Sequence, residues 1–260
     1  MKDLKLPLFE YDDEEGKITP DAAVRNIPYE QRKKLKDLQI DKAIIFFDPH
    51  LEDYSFSKKT ECVYRFIAAG ANTAVLLYDK KILLAQCPIG GPAAAGLMDE
   101  LVSLGINKFI AQGFAGCIDP ILDTKTVFII NSAIRDEGTS FHYIPPSAEV
   151  ELKSELVNHI AAACEKKGID YHIGKTWTTD GFYRETPSRI ERRLKQGAQV
   201  VEMECAALAA TAQYRKVSFG QFVYFSDLVY QPVWQWLEID RNKIRWEMLN
   251  LAIETCLAIK

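Results

Sequence analysis

Long apolar runs, closely spaced metal ligands and blocks of like charge are all missing from this 260-residue chain. No stretch approaches the ~20 apolar residues of a membrane-spanning helix, and the first residues lack the apolar run of a signal peptide. The 32 basic and 36 acidic side chains are interspersed, so nothing in the sequence attracts a polyanion. We therefore expect a cytoplasmic protein with no membrane and no nucleic acid among its partners.

The six cysteines and four histidines show none of the spacings typical of metal sites. There is no C-x-x-C pair and no H-x-x-x-H pair, so a metal site would need ligands from distant parts of the chain. Most of the cysteines stand among apolar or small residues, which favours reduced thiols in the core over disulfides. We predict neither a metal nor a cofactor.

Runs typical of strands alternate with segments typical of helices from about residue 43 onward. Short runs rich in β-branched and aromatic residues, such as 43–48, 108–114 and 218–227, predict strands. Segments 91–105 and 150–168 carry apolar residues at helical spacing, and the second ends in lysines and a glycine. The alternation predicts a single-domain α/β fold with a central mixed β-sheet flanked by helices.

Residues 1–40 differ from the remainder of the chain. They are acidic and rich in turn formers as far as Pro20, and a short helical stretch follows at 28–38. We interpret residues 1–40 as an N-terminal extension that packs on a domain formed by residues 41–260.

Short segments with glycines, hydroxyl residues or carboxylates follow one another in a defined order. They are PIGGP (88–92), GFAG (113–116), GTSFH (138–142), TTDGFY (178–183), VEMECAA (201–207) and SD (226–227). In this combination they resemble the nucleoside phosphorylase and uridine phosphorylase superfamily, from about residue 43 to the C-terminus. The resemblance implies a nucleoside phosphorylase-like fold, a nucleoside as small-molecule ligand, and a homo-oligomer, either a dimer or a hexamer.

The segment VEMECAA carries two glutamates. One ionised carboxylate can accept hydrogen bonds from both hydroxyls of a ribose diol. The resemblance implies that Glu204 does so, with Met203 packed against the sugar and Glu202 on the other side of the chain. Considered alone, these residues are more typical of a helix start, where acidic side chains interact favourably with the helix dipole.

Asp227 follows FVYFS, the most apolar strand-like run in the sequence. Loss of a purine from ribose requires a proton on the leaving base, and a carboxylic acid near N7 can supply it. The resemblance implies that Asp227 is this acid, because similar uridine-cleaving proteins usually have asparagine followed by arginine here. Arg241 is the implied catalytic partner of Asp227, although an exposed arginine at a helix start is an equally good interpretation.

Phe182 is the implied aromatic wall against which a base stacks. In similar uridine-cleaving proteins, the same segment continues with a glutamine and an arginine that recognise uracil. Here Thr186 and Ser188 occupy those positions, and Arg189 is one residue away. We therefore expect a purine rather than uracil.

The residues that would gather phosphate are replaced. Where the family has glycine, arginine, arginine and a hydroxyl residue, this chain has Phe47, Leu51, Ala111 and Phe114. Each lost charge-assisted hydrogen bond is worth roughly 1.5–3 kcal/mol. We predict that aromatic side chains fill the phosphate pocket. The basic residues near the segment that enters a neighbouring subunit in the family are Lys58, Lys59 and Arg65, and surface positions suit the lysines.

Three functions remain open. The first is cleavage of a purine nucleoside with phosphate as acceptor. The second is hydrolysis, with Glu52 or Asp53 as the counterpart of the glutamate that nucleosidases of this family carry. The third is a non-catalytic nucleoside-binding protein, which the retention of both Glu204 and Asp227 disfavours. The segment at 230–236, with two tryptophans, suits an interface, a lid or the core.

Overall fold

The structure is a computed structural model that describes residues 6–47, 59–68, 71–152 and 155–259. Its strands are β1 Lys42–Phe46, β2 Thr60–Ala68, β3 Ala71–Tyr78, β4 Ile82–Gln86, β5 Lys108–Cys117, β6 Val127–Asp136, β7 Glu149–Glu151, β8 Tyr171–Thr179, β9 Ala198–Glu202, β10 Ser218–Leu228 and β11 Gln235–Trp236. All belong to one mixed sheet, which confirms the predicted α/β fold.

Part of the sheet closes into a ring of five strands, one of which is β5. On one side β5 pairs with β10 in parallel, and on the other it pairs with β9 in the antiparallel sense. The pairs β9–β8, β8–β6 and β6–β10 complete the ring. A second arm leaves β5 through β1 and β4 to the antiparallel strands β3 and β2.

Helices cover the sheet. They are α1 Pro20–Val24, α2 Tyr29–Asp37, α3 Gly91–Ser103, α4 Leu156–Lys167, α5 Pro187–Lys195, α6 Cys205–Arg215 and α7 Arg241–Ala258. Helix α3 packs against α6, and α4 packs against α7. Within the described ranges, none of the helices combines the length and the hydropathy needed to cross a bilayer.

The helix predicted from residue 150 begins later than its sequence suggests. Val150 lies in β7, which pairs antiparallel with β6, and the helix itself starts at Leu156. Val150 is buried while Glu149 and Glu151 are exposed, so a strand satisfies the alternation in this short stretch. The start of the predicted helix was therefore wrong, whereas its end is right, since Gly168 closes it in the left-handed conformation.

The N-terminal segment contacts the α/β core in two places. Phe9 meets Phe141 edge to face, with ring centroids 5.4 Å apart, and α1 packs against α3. Val24 in α1 and Leu35 in α2 are buried. The division of the chain at residue 40 stays a prediction.

Candidate active site

Strand β9 ends in a buried carboxylate that organises the start of α6. Glu202 accepts hydrogen bonds from the backbone N–H groups of Glu204, at 2.8 Å, and Cys205, at 2.6 Å. These N–H groups belong to the unpaired donors that open a helix, and a carboxylate also interacts well with the positive end of the helix dipole. Glu202 thus fixes the turn in which Glu204 lies.

The second oxygen of Glu202 binds the neighbouring strand. It accepts from Thr178 Oγ1 at 2.6 Å and from Thr176 Oγ1 at 3.2 Å. Burial raises the pKa of Glu202, and these four hydrogen bonds oppose that rise. Because both oxygens of Glu202 are engaged within the protein, the neighbouring glutamate is the one available to a ligand.

Glu204 faces the glycine loop that precedes α3. Its carboxylate is 6% exposed and accepts the backbone N–H of Gly90 at 2.7 Å. Burial and then the charge of Glu202 raise the pKa of Glu204. Gly90 has a φ of +111°, a conformation that other residues rarely adopt, so the loop needs glycine to present this N–H group. Met203, in the same turn, is half-buried.

Asp227 lies near the end of β10, where the strand is irregular. The register against β5 shifts between Phe225 and Asp227, as expected for a β-bulge, which re-aims the side chain that follows. Asp227 then pairs with Gly116 of β5. A Cβ placed on Gly116 would lie only 3.2 Å from Asp227 Oδ2, so the glycine makes room for the carboxylate.

The ends of β9 and β10 meet on either side of the same glycine. Gly116 pairs with Asp227 on one side and with Val201 on the other. Adjacent strands lie about 4.8 Å apart, so the backbones at Val201 and Asp227 are separated by about 10 Å. Glu204 follows Val201 by only three residues. The fold thus brings the predicted acid and the predicted ribose ligand to one end of β5.

Both oxygens of Asp227 accept hydrogen bonds. Ser226 Oγ donates to Oδ1, and Trp234 Nε1 donates to Oδ2 at 2.8 Å. In the sequence analysis, the segment that contains Trp234 suited an interface, a lid or the core. No sequence pattern indicated its contact with Asp227. The contact arises because β11 folds back antiparallel on β10, with Trp236 opposite Asp227.

Arg241, at the first turn of α7, stacks on aromatic rings. Its guanidinium carbon lies 4.4 Å from the ring centroid of Trp236 and 5.6 Å from that of Phe114. Within the described part of the chain, Arg241 forms no ion pair with Asp227. Its predicted partnership with Asp227 stays a prediction.

The segment that carries Phe182 also carries a carboxyl group that the sequence did not single out. Phe182 is 52% exposed, and its ring lies 4.0 Å from that of Tyr183. Glu185 follows in the same turn. Burial and then the negative charge of Asp227 raise the pKa of Glu185 to about 7.

Aromatic side chains stand where the phosphate ligands were expected. A Cβ on Gly113 would lie 3.1 Å from Phe47, and the ring of Phe114 lies under Arg241. Ala111 is buried in β5. Arg65 is exposed and donates to Asn72. Lys59 is exposed. Leu51 and Lys58 lie outside the described residues, and so do Glu52 and Asp53, the two residues named for hydrolysis.

A cavity of about 730 Å³ adjoins the glycine loop and is lined by α3, by the N-terminal segment and by Thr139 and Asp180. Asp180 accepts the backbone N–H of Gly138 at 2.9 Å, and its charge contributes to the raised pKa of Glu204. Among the described residues, His, Cys, Asp and Glu side chains nowhere gather in threes as metal ligands would.

The structure is thus a mixed α/β fold that brings two carboxylates, Glu204 and Asp227, to one end of β5. Residues 42–243 match the family model of the phosphorylase superfamily. This match covers most of the chain, so the chain belongs to that superfamily, and the resemblance found in the sequence is confirmed.

Relatives of this chain include phosphorylases of both pyrimidine and purine nucleosides. Uridine phosphorylase of Thermococcus kodakarensis is 38% identical over 99 residues, 36% of this chain and 34% of the relative. Uridine phosphorylase of Escherichia coli is 29% identical over 146 residues, 51% of this chain and 58% of the relative. The DeoD-type purine nucleoside phosphorylase of Streptococcus pyogenes is 28% identical over 177 residues, 65% of this chain and 73% of the relative. The chain thus spans less than two thirds of the uridine phosphorylases that it matches.

Proposed function

We propose that this protein cleaves the N-glycosidic bond of a nucleoside, preferably a purine nucleoside, and transfers the sugar to phosphate. The observation that carries the proposal is that Gly116 of β5 pairs with Asp227 on one side and, on the other, with Val201, three residues before Glu204. Membership of the phosphorylase superfamily supports the reaction class. Like its relatives, the protein would act as a homo-oligomer, and we place it in the cytoplasm.

In this proposal the two carboxylates act at opposite ends of the scissile bond. In its ionised form, Glu204 accepts hydrogen bonds from the ribose diol and favours the oxocarbenium-like transition state, in which the sugar becomes positively charged. Because burial and the charge of Glu202 raise the pKa of Glu204 to about 8, this role requires loss of its proton when the nucleoside binds. Met203 packs against the sugar, and Phe182 stacks on the base. Asp227 protonates the departing purine at N7, which makes the base a better leaving group.

Arg241 completes the proposed acid. A guanidinium close to Asp227 would stabilise the negative charge that the carboxylate carries once its proton has moved to the base. Its present contacts with Trp236 and Phe114 place it within the same cluster of side chains. We expect Arg241→Ala to lower kcat/KM by about tenfold to a hundredfold, whereas the neighbouring exposed Lys243→Ala leaves it within about twofold. Equal activities of the two variants would remove Arg241 from the mechanism.

Phosphate and water are the two possible acceptors of the sugar, and one observation favours water. Phe47 and Phe114 stand at two positions where the superfamily resemblance implies phosphate ligands. Hydrogen-bond donors and cations are needed there to hold a dianion. A nucleosidase that uses the same acid and the same ribose ligand is therefore the second candidate.

A single assay separates these candidates. Inosine, adenosine and uridine are incubated with the protein with and without phosphate, and free base, ribose and ribose 1-phosphate are measured. Phosphate-dependent release of hypoxanthine or adenine with ribose 1-phosphate supports the proposal. Phosphate-independent release with free ribose identifies a nucleosidase. Nucleoside binding without any turnover, in the wild type and in Asp227→Asn alike, would identify a non-catalytic binding protein.

A further inference from the structure

The indole of Trp234 occupies the oxygen of Asp227 that a nucleobase would need. Trp234 Nε1 donates to Oδ2 at 2.8 Å, while Ser226 Oγ already donates to Oδ1. While both donors are in place, Oδ2 faces the indole N–H and cannot face a ring nitrogen of a base. The proposed acid therefore has to exchange one of these donors before it can act.

Of the two donors, Trp234 is the one that can leave. Ser226 is 7% exposed, and its hydroxyl also lies 3.3 Å from the carbonyl oxygen of Ala115. Trp234 is 54% exposed, and its indole packs on Trp236 with ring centroids 4.5 Å apart. A half-exposed ring in the irregular segment before β11 costs little to move, whereas Ser226 lies inside a paired strand and its hydroxyl is buried.

The contacts beyond Trp234 explain how it is held in place. Trp234 packs on Trp236, the guanidinium of Arg241 lies over Trp236, and Phe114 lies beyond Arg241. We call these four residues the aromatic column. Because Trp236 pairs with Asp227 through the backbone, the column is attached to the strand that carries the acid.

We propose that Trp234 is a positioning residue for Asp227, whose indole N–H aligns the carboxylate and yields its place on Oδ2 to the incoming nucleobase. This inference rests on the proposed function, since it takes Asp227 to be the acid. The exchange suits a flat heterocycle, which can bring both a ring nitrogen to Oδ2 and a π-face to the aromatic side chains nearby.

The test compares Trp234→Phe with Trp236→Phe. Both variants keep an aromatic ring, but only the first removes the hydrogen bond to Asp227. In the wild type and in Trp236→Phe, we expect inosine or adenosine to change the tryptophan fluorescence, because the Trp234 indole leaves the carboxylate. In Trp234→Phe this change should be lost, while equilibrium dialysis still detects bound nucleoside.

The separate effects on kcat and KM supply a second readout. In Trp234→Phe, kcat for inosine or adenosine should fall by about threefold to tenfold, because the carboxylate loses the donor that aligns it, while KM stays within about twofold. Trp236→Phe keeps the indole N–H on Asp227 and should lower kcat by less. A role limited to packing would lower kcat alike in both variants.

The proposal is overturned if Trp234→Phe keeps the full fluorescence response, if Trp236→Phe loses that response equally, or if kcat falls equally in both variants. Nucleoside binding without a fluorescence change in the wild type also overturns it, and leaves the proposed function standing. If dialysis detects no binding of inosine, adenosine or uridine, the proposed function itself fails, and this inference falls with it.

Discussion

Glu202 provides the sharpest test of how the site is built, because four hydrogen bonds converge on one buried carboxylate. The backbone N–H groups of Glu204 and Cys205 bind one oxygen, and the hydroxyls of Thr176 and Thr178 bind the other. Glu202→Ala removes all four acceptor contacts. The loss in free energy of unfolding depends on which of the four donors can find new acceptors.

The threonine hydroxyls have other options. Thr178 Oγ1 already accepts the N–H of Ala206 at 3.0 Å, and Thr176 Oγ1 lies 3.4 Å from the carbonyl oxygen of Val200. The N–H groups of Glu204 and Cys205 point into a buried space and cannot turn. An unsatisfied buried donor costs about 1–3 kcal/mol, so these two account for about 2–6 kcal/mol, and relief from burying a charge offsets part of that. We expect Glu202→Ala to lower the free energy of unfolding by about 3 kcal/mol.

Glu202→Gln is the matched control. Its amide oxygen can still accept both N–H groups, and its amide nitrogen can face the threonine hydroxyls, which rotate to accept. We expect this variant to lose at most about 1 kcal/mol. Urea unfolding at pH 7, followed by circular dichroism, measures both variants. If glutamine costs as much as alanine, or if alanine costs under about 1 kcal/mol, the hydrogen-bond network is not what holds the start of α6.

Two further substitutions probe the neighbouring groups. Glu204 has a folded-state pKa raised above its usual 4.5, so in the window above 4.5 the folded protein retains a proton that the unfolded chain releases, and stability falls as pH rises. At pH 8, Glu204→Gln should therefore unfold at a higher urea concentration than the wild type, and this difference should disappear towards pH 4.5. The exposed Glu238→Gln serves as the control. A difference in urea midpoint that stays constant from pH 8 to pH 4.5 would contradict the raised pKa of Glu204. Gly116→Ala should cost about 1–3 kcal/mol and also lower kcat/KM, because its Cβ would lie 2.5 Å from Val229 Cγ2 and 3.2 Å from Asp227 Oδ2. Wild-type activity and stability in that variant would show that the glycine is not needed to seat the carboxylate.

The sequence predicted the interior strands well, because short apolar runs rich in β-branched and aromatic residues are typical of buried strands. The runs around β1, β5 and β10 are examples, and their side chains are almost wholly buried. The predictions missed β7, β11, α1 and α5. Helix α5 is short and has no buried residue, and its apolar face consists only of Ile190 and Leu194, so its sequence lacks the longer apolar stripe from which a helix is usually inferred.

The site was harder to predict than the fold, because its geometry depends on contacts between distant residues. The sequence pointed to Glu204 and Asp227 through their motifs, yet nothing local distinguishes the hydrogen-bonded Glu202 from its neighbour. The contact of Trp234 with Asp227 and the stacking of Arg241 on Trp236 depend on the fold of the chain after β10. Side chains brought together by tertiary structure leave no periodic signal in the sequence.

In the proposed complex, one nucleoside lies between Glu204 and Asp227. A crystal structure of the protein with a purine C-nucleoside, whose glycosidic carbon–carbon bond resists cleavage, would show this arrangement. We expect both ribose hydroxyls within hydrogen-bond distance of the Glu204 carboxylate and a ring nitrogen of the base within hydrogen-bond distance of Asp227. A nucleoside bound with its ribose away from Glu204, or with its base out of reach of Asp227, would contradict it.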